Sequence, residues 1–315
     1  MIRGTRTNLK GGPIAAPSVI ETLAPRTGAA IGLVLLGFVA LTLMDALAKL
    51  LGERGYDPLL VVWARFAINA GFVTVLYARN LPRHLQSHHP RAQVMRSLAQ
   101  LAAIASFFFA LRYATLAQAT ALGDLNPVLV TLGAALFLGE RLGIHRIFGI
   151  VAAFGGALII LRPGFGDVSP GASLALVAAA SFAAGMLLTR HVRRDSNATS
   201  QIWAAYIGTA VSSLALPFVW QPIALADLWI FGLLGLAGTV SQALLIRAYA
   251  LAEAGVLAPF GYSGLIFASL WGVILFGQWP DLWTILGALV IVGAGLYVWS
   301  RERASSARRS DPEAR

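Results

Sequence analysis

Asp45, Lys49, Arg65 and Asp124 are charged residues set inside long apolar runs. Asp45 and Lys49 are four apart and so share one helical face, and Asn69 follows Arg65 by one turn along its own face. Charge at lipid depth is costly, so such groups face a cavity or one another. All four fall within two to three turns of one end of their runs, so they can sit at similar depth as one charge cluster. In one reading Asp45 or Asp124 neutralises Arg65 or Lys49 and holds three helices together. In the other, Arg65 attracts a substrate carboxylate or gates the mouth of a cavity, and Asp124 or Asp45 exchanges a proton. A sodium site is disfavoured, because no unwound carboxylate-rich segment is visible.

Uncharged polar side chains recur in the same runs. Gln100, Tyr113 and Asn126 in the first half, with Tyr206, Ser241, Gln242, Tyr249 and Tyr262 in the second, are candidates for a cavity wall. Interhelical hydrogen bonding is the other use open to each of them. Pro127 and Pro259 each free a backbone carbonyl and are candidate hinges.

Other chemistry finds little support. The chain has no cysteine, which removes disulfides, thiolate catalysis and cysteine metal sites together. His84 and His88 have the spacing of a helical metal pair, but their surroundings are cationic and lack an acidic partner, so a solvated loop is expected and no metal. No Gly-rich phosphate loop with its lysine is present, which argues against ATP drive and implies no cofactor. The five histidines all fall in or beside the polar connections, so an intramembrane enzyme has no nucleophile–base pair at depth.

The elements that position these residues are membrane helices. With 57% hydrophobic and 12% charged residues, the chain has too little polar surface to cover a soluble globule. Runs of about 20 residues suffice to cross the hydrocarbon core. They lie at 28–51, 58–79, 94–113, 118–137, 144–161, 171–188, 200–219, 228–251, 255–276 and 282–299. Residues 1–27 are basic without an apolar signal core and are expected to form a polar cytoplasmic tail, as are residues 302–315. The Gly- and Pro-rich 162–170 stretch is the natural joint between two halves.

Those halves repeat. Tyr113-Ala114 matches Tyr249-Ala250, Gly139-Glu140 matches Gly277-Gln278, and Gly149 and Gly155 match Gly287 and Gly293. Trp63-Ala64-Arg65-Phe66 is echoed by Trp203-Ala204-Ala205-Tyr206, and Lys49 ends the first span where Arg190 ends the sixth. The expected domains are therefore two five-helix repeats, 28–162 and 171–301. Of the 24 Lys and Arg, only Lys49, Arg54, Arg112 and Arg162 fall on the side opposite the N-terminus, and Arg65 lies within a span. That bias puts both termini in the cytoplasm. Five crossings is an odd number, so the second repeat is inverted, which is the geometry of an alternating-access carrier. A channel or scaffold has no comparable need for it. The glycines of the fifth and tenth spans permit close packing, either inside the fold or between two copies in a homodimer.

In these features the sequence resembles the drug/metabolite transporter superfamily, in its bacterial ten-helix branch with two EamA-type domains. The likeness rests on Trp63-x-Arg65-Phe66, on Tyr113 with its Ala-rich turn and on Pro127. It rests also on Leu138-Gly139-Glu140-Arg141 followed by Gly149 and Gly155-Gly156, and it covers about residues 28–301. Gln278 and Ala205 depart from the pattern in the second copy. The resemblance implies an all-α inner-membrane protein with a central cavity lined mainly by spans three, four, eight and nine. It implies export of amino acids, including aromatic ones, or of related small metabolites. A cationic or nucleoside-like drug or metabolite is the alternative cargo.

Overall fold

The computed structural model describes residues 19–139, 143–162, 169–189, 192, 195–252 and 254–309. The Glu140-Arg141 corner, Arg190, His191, Arg193, Arg194 and most of the 162–170 joint lie outside the described residues.

The described chain is all-helical. Its elements are α1 (Val19–Glu53), α2 (Pro58–Leu76), α3 (Leu81–His84), α4 (Pro90–Ala110), α5 (Leu116–Gly123), α6 (Asn126–Leu138) and α7 (Ile144–Leu161). They continue with α8 (Pro170–Thr189), α9 (Asn197–Ser213), α10 (Leu216–Val219), α11 (Leu228–Leu251), α12 (Ala254–Gly261), α13 (Ser263–Phe276) and α14 (Leu282–Arg309). Among the described residues nine stretches are long and apolar enough to cross a membrane. The remaining expected crossing, α9, has 17 residues, the lower limit for a span. Pro217 interrupts it: the ring carries no N–H and excludes the carbonyl four residues earlier, that of Ser213, where α9 ends and after which the chain restarts as α10.

Other boundaries also differ from the sequence expectation. α1 starts at Val19, inside the expected N-terminal tail, and α14 runs to Arg309, inside the expected C-terminal one. Ala, Glu and Arg between residues 301 and 309 are good helix formers and continue α14 past its apolar span. The fourth and ninth spans are each broken in two. α5 ends at Gly123 and α6 begins at Asn126, while α12 ends at Gly261 and α13 begins at Ser263. At the first break Pro127 lacks an N–H and its ring excludes the carbonyl four residues earlier, that of Gly123. Both broken spans end alike, with Gly139 at φ 67° and Gly277 at φ 62° in the left-handed conformation that caps α6 and α13.

Helix packing repeats under exchange of the two halves. α1 packs on α11 as α8 packs on α4, α1 on α12 and α13 as α8 on α5 and α6, and α2 on α11 as α9 on α4. α2·α9 and α7·α14 are pairs that the exchange maps onto themselves. Two bundles result, each drawn from both halves: α1, α2, α11 and α12–α13 in one, and α4, α5–α6, α8 and α9 in the other.

Candidate functional site

The bundles make one class of contact that the exchange does not reproduce. Among the described residues α5 packs on α13 and on α14, and α2 packs on α4, whereas α12·α6, α12·α7 and α9·α11 have no comparable packing. The two bundles therefore close together on the face that carries the α1–α2 and α4–α5 connections.

Lys49 is the polar fastener of that closed face. Its Nζ donates to the carbonyls of Leu111 at 2.8 Å and Ala114 at 2.9 Å, just past the C-terminus of α4. It also lies 5.6 Å from the Phe276 ring centroid. A buried ammonium is stable here because the last carbonyls of α4 have no intrahelical partner and carry the negative end of the helix dipole. Beside it is an open cleft of about 160 Å³ lined by Lys49, Glu53, Val61, Phe108, Leu111 and Arg112.

Arg65 lines a second, narrow cleft with room for about one water, together with Phe66, Asn69, Gln100, Ala204, Gly235, Gly238, Thr239 and Gln242. Here α2, α4, α9 and α11 meet, so both bundles contribute to the wall. Arg65 Nε donates to Met44 Sδ at 3.0 Å, and its guanidinium lies 5.3 Å from the Phe66 centroid. Asp45 acts on Arg65 electrostatically without closing to an ion pair within 4 Å. The guanidinium thus keeps donors free, with two primary amides and Asn69 around it. Thr239 donates to Asn69 Oδ1 at 3.3 Å, which fixes that amide. Such a set suits a carboxylate flanked by hydrogen-bonding groups.

Asp124 stands apart from both clefts, at the α5–α6 break. Thr115 and Gln118 form a reciprocal capping box that starts α5, and two turns on the helix ends at Gly123-Asp124. The equivalent pair in the second half is Gly261-Tyr262, at the α12–α13 break. Asp124 acts electrostatically on Tyr262, so the two breaks face one another. Asp124 Oδ2 is shut off from the surface and takes no hydrogen bond.

The four charged residues expected as one cluster are thus divided. Asp45 and Arg65 belong together, Lys49 is bound to carbonyls and Asp124 answers to Tyr262. The separation follows from helix rotation and from the break in the fourth span, neither of which spacing reveals. Gln100 and Gln242 share the Arg65 cleft. Tyr206 instead pairs its hydroxyl with Thr74 at 2.8 Å, and Ser241 is 1% exposed with its hydroxyl unpartnered. Tyr113 and Tyr249 are exposed and line neither cleft. Asn126 is half-buried in the first turn of α6, beside Pro127, whereas Pro259 is inside α12, ahead of its break.

Sequence reasoning missed Met44, Thr239 and two acidic staples. Asp227 pairs with Arg54 and accepts from Tyr56 Oη at 2.8 Å, joining α1 to the start of α11. Asp195 accepts from Ser87 Oγ at 2.5 Å, His88 N at 2.9 Å and Gln93 Nε2 at 2.8 Å, joining the α3–α4 and α8–α9 connections. His88 therefore has the acidic partner that its surroundings in sequence lack, although its side chain stays 69% exposed in the loop; the pair is 107 residues apart in the chain and invisible to local spacing. Burial opposes ionisation of Asp195, but the hydrogen bonds from Ser87, Gln93 and His88 outweigh it and hold the carboxyl well below the usual carboxylate range. Each staple lies within one bundle, so each bundle is tied internally at one membrane face.

Residues 28–162 and 169–300 each match the EamA-like transporter family. The chain belongs to that family. Among relatives of this EamA-like protein, the S-adenosylmethionine uptake transporter of Rickettsia bellii is 27% identical over 281 residues, 88% of this chain and 95% of that one. The riboflavin transporter of Rhizobium johnstonii is 31% identical over 220 residues, 69% of this chain and 73% of that one. The pseudopaline exporter of Pseudomonas aeruginosa is 32% identical over 193 residues, 60% and 67% of the respective chains. A solved crystal structure 21% identical in sequence superposes with a TM-score of 0.59 over 87% of this chain and 98% of that chain, a likeness of fold alone. This EamA-like protein is accordingly a multi-pass membrane transporter.

Proposed function

We propose that this EamA-like protein carries a small metabolite with an amino-acid-like carboxylate across the bacterial inner membrane by alternating access, both termini being cytoplasmic. The observation that carries this is the one-sided closure of the two bundles, in which packing between α5 and α13 has no counterpart between α12 and α6. In a chain of two equivalent halves, exchanging their conformations moves the open side from one face of the membrane to the other. The Arg65 cleft, walled by both bundles, would then be the part of the path common to both states. Its guanidinium and its three amides from Asn69, Gln100 and Gln242 favour a carboxylate-bearing cargo over a purely apolar one.

The relatives are named for three different cargoes and for both uptake and export. Amino acids as the cargo, and export as the direction, therefore rest on Arg65 and on the resemblance, and not on the relatives' names. Counterflow in proteoliposomes across a panel of amino acids, carboxylated metabolites and carboxylate-free analogues tests the proposal. Saturable flux confined to carboxylate-bearing compounds is expected. Flux that never saturates, or none for any compound, would sink it.

A further inference from the structure

We infer that Asp124 is a proton-carrying site, loaded and discharged as the two bundles exchange which face is closed. The inference rests on the alternating-access reading above and adds to it the species that drives the cycle. Asp124 caps the C-terminus of α5, which belongs to one bundle and packs on α13 of the other. One of its oxygens is shut off and accepts no hydrogen bond, and the hydroxyls of Thr120, one turn earlier, and Ser263, beside Tyr262, are likewise buried without partners. An ionised carboxyl so placed at lipid depth loses its hydration with little returned.

Among the described residues no cation on the neighbouring elements compensates it. α8 carries no titratable residue, and α12–α13 present Tyr262. On α14 Tyr297 is bonded to His145 of α7 and stacked on by Arg301, while Arg162 of α7 pairs with Asp281. Arg146 sits in the first turn of α7, at its far end from Arg162. On α1, Lys49 is held by two carbonyls and Asp45 acts on Arg65. The group is therefore neutral by protonation while the α5–α13 contact is closed. A metal ion would need several ligands, and no cluster of three acidic, His or Cys side chains exists among the described residues. Parting α5 from α13 hydrates the carboxyl and allows the proton to leave to water on that side, regenerating the carboxylate.

Infrared spectra of the purified full-length protein, recorded over a pH series in choline salts, test this without any transported compound. The C=O stretch of a protonated carboxyl should be present at neutral pH and fade as pH rises. It should be lost in Asp124→Asn and retained in Asp45→Asn. Asp124→Glu should restore a displaced band, which separates loss of the proton site from loss of the fold. A band unchanged in Asp124→Asn overturns the inference. So does a band that disappears when sodium replaces choline at fixed pH, since that would make Asp124 a sodium ligand. A titrating Asp124 with no flux for any panel compound would leave the proton site standing and remove the transport reading. Flux with no Asp124 band would do the reverse.

Discussion

Gly156 and Gly287 meet backbone to backbone where α7 crosses α14. A Cβ on Gly156 would lie 2.7 Å from the Gly287 carbonyl oxygen, and one on Gly287 would lie 2.5 Å from that of Gly156. The two residues belong to equivalent helices of the two halves but not to equivalent positions: Gly287 matches Gly149 and Gly156 matches Ala294, so the exchange carries this contact onto the approach of Gly149 to the Ala294 carbonyl oxygen, 3.6 Å from a built Cβ. The obstacle on each side is a backbone atom, which cannot rotate away.

Gly156→Ala or Gly287→Ala should therefore force α7 and α14 apart and destabilise the fold by about 1–3 kcal/mol. Gly155 and Gly293 have nothing within 4 Å of a built Cβ, so alanine at either should leave stability unchanged. Thermal unfolding of the detergent-solubilised variants measures both. Equal losses at all four positions would refute the close backbone contact.

Removing the ammonium in Lys49→Met should release α1 from the carbonyls of Leu111 and Ala114. A hydrogen bond from a charged group contributes about 1.5–3 kcal/mol, so the closed face should open about 10-fold more often or beyond. The chain has no cysteine, which gives a clean background for a single reporter. Ala119→Cys, at a fully buried position on α5, should react faster with an impermeant maleimide applied from the Lys49 face. An unchanged rate would mean that Lys49 fastens nothing that moves.

Arg65→Gln keeps a polar side chain of reduced reach in the cleft but removes the charge. If Arg65 receives a carboxylate, the apparent KM for carboxylated cargo should rise by roughly 10- to 100-fold, the loss of a charge-assisted contact of about 1.5–3 kcal/mol, with smaller change for a carboxylate-free analogue. Counterflow kinetics measure this. An equal change for both compounds would make Arg65 a structural residue that only supports Met44 and Phe66.

The Asp195 staple has a defined pH window. Its carboxyl is held below the usual range in the folded protein, so its contribution is fully present above the unfolded value of about 3.9 and is lost as pH falls through the lower folded value. Thermal stability should hardly depend on this group from neutral pH down to about pH 5. Asp195→Ala strands Ser87 and Gln93 and should cost about 1–3 kcal/mol at neutral pH. The wild-type and variant stabilities should converge only in strong acid. Convergence already near pH 6 would contradict the assignment.

The one-dimensional pattern of apolar runs determined the fold class by itself, because lipid admits only segments that satisfy their own backbone. The duplication was equally legible, in Tyr113 against Tyr249 and Gly139 against Gly277, since equivalent turns need equivalent residues. The breaks in the fourth and ninth spans were half-legible: Pro127 marked a hinge, but its effect one turn earlier, at Asp124, depends on a steric clash with a carbonyl that only a folded helix presents. Which polar groups meet was not legible at all. Helix rotation and the choice of packing partner sent Lys49 to the end of α4, Tyr206 to Thr74, Asp195 to Ser87 and His88, and Arg65 into a cleft with Gln100 and Gln242. Those pairings are fixed by the three-dimensional closure of two bundles that each mix both halves of the chain. Spacing along one helix carries no information about them.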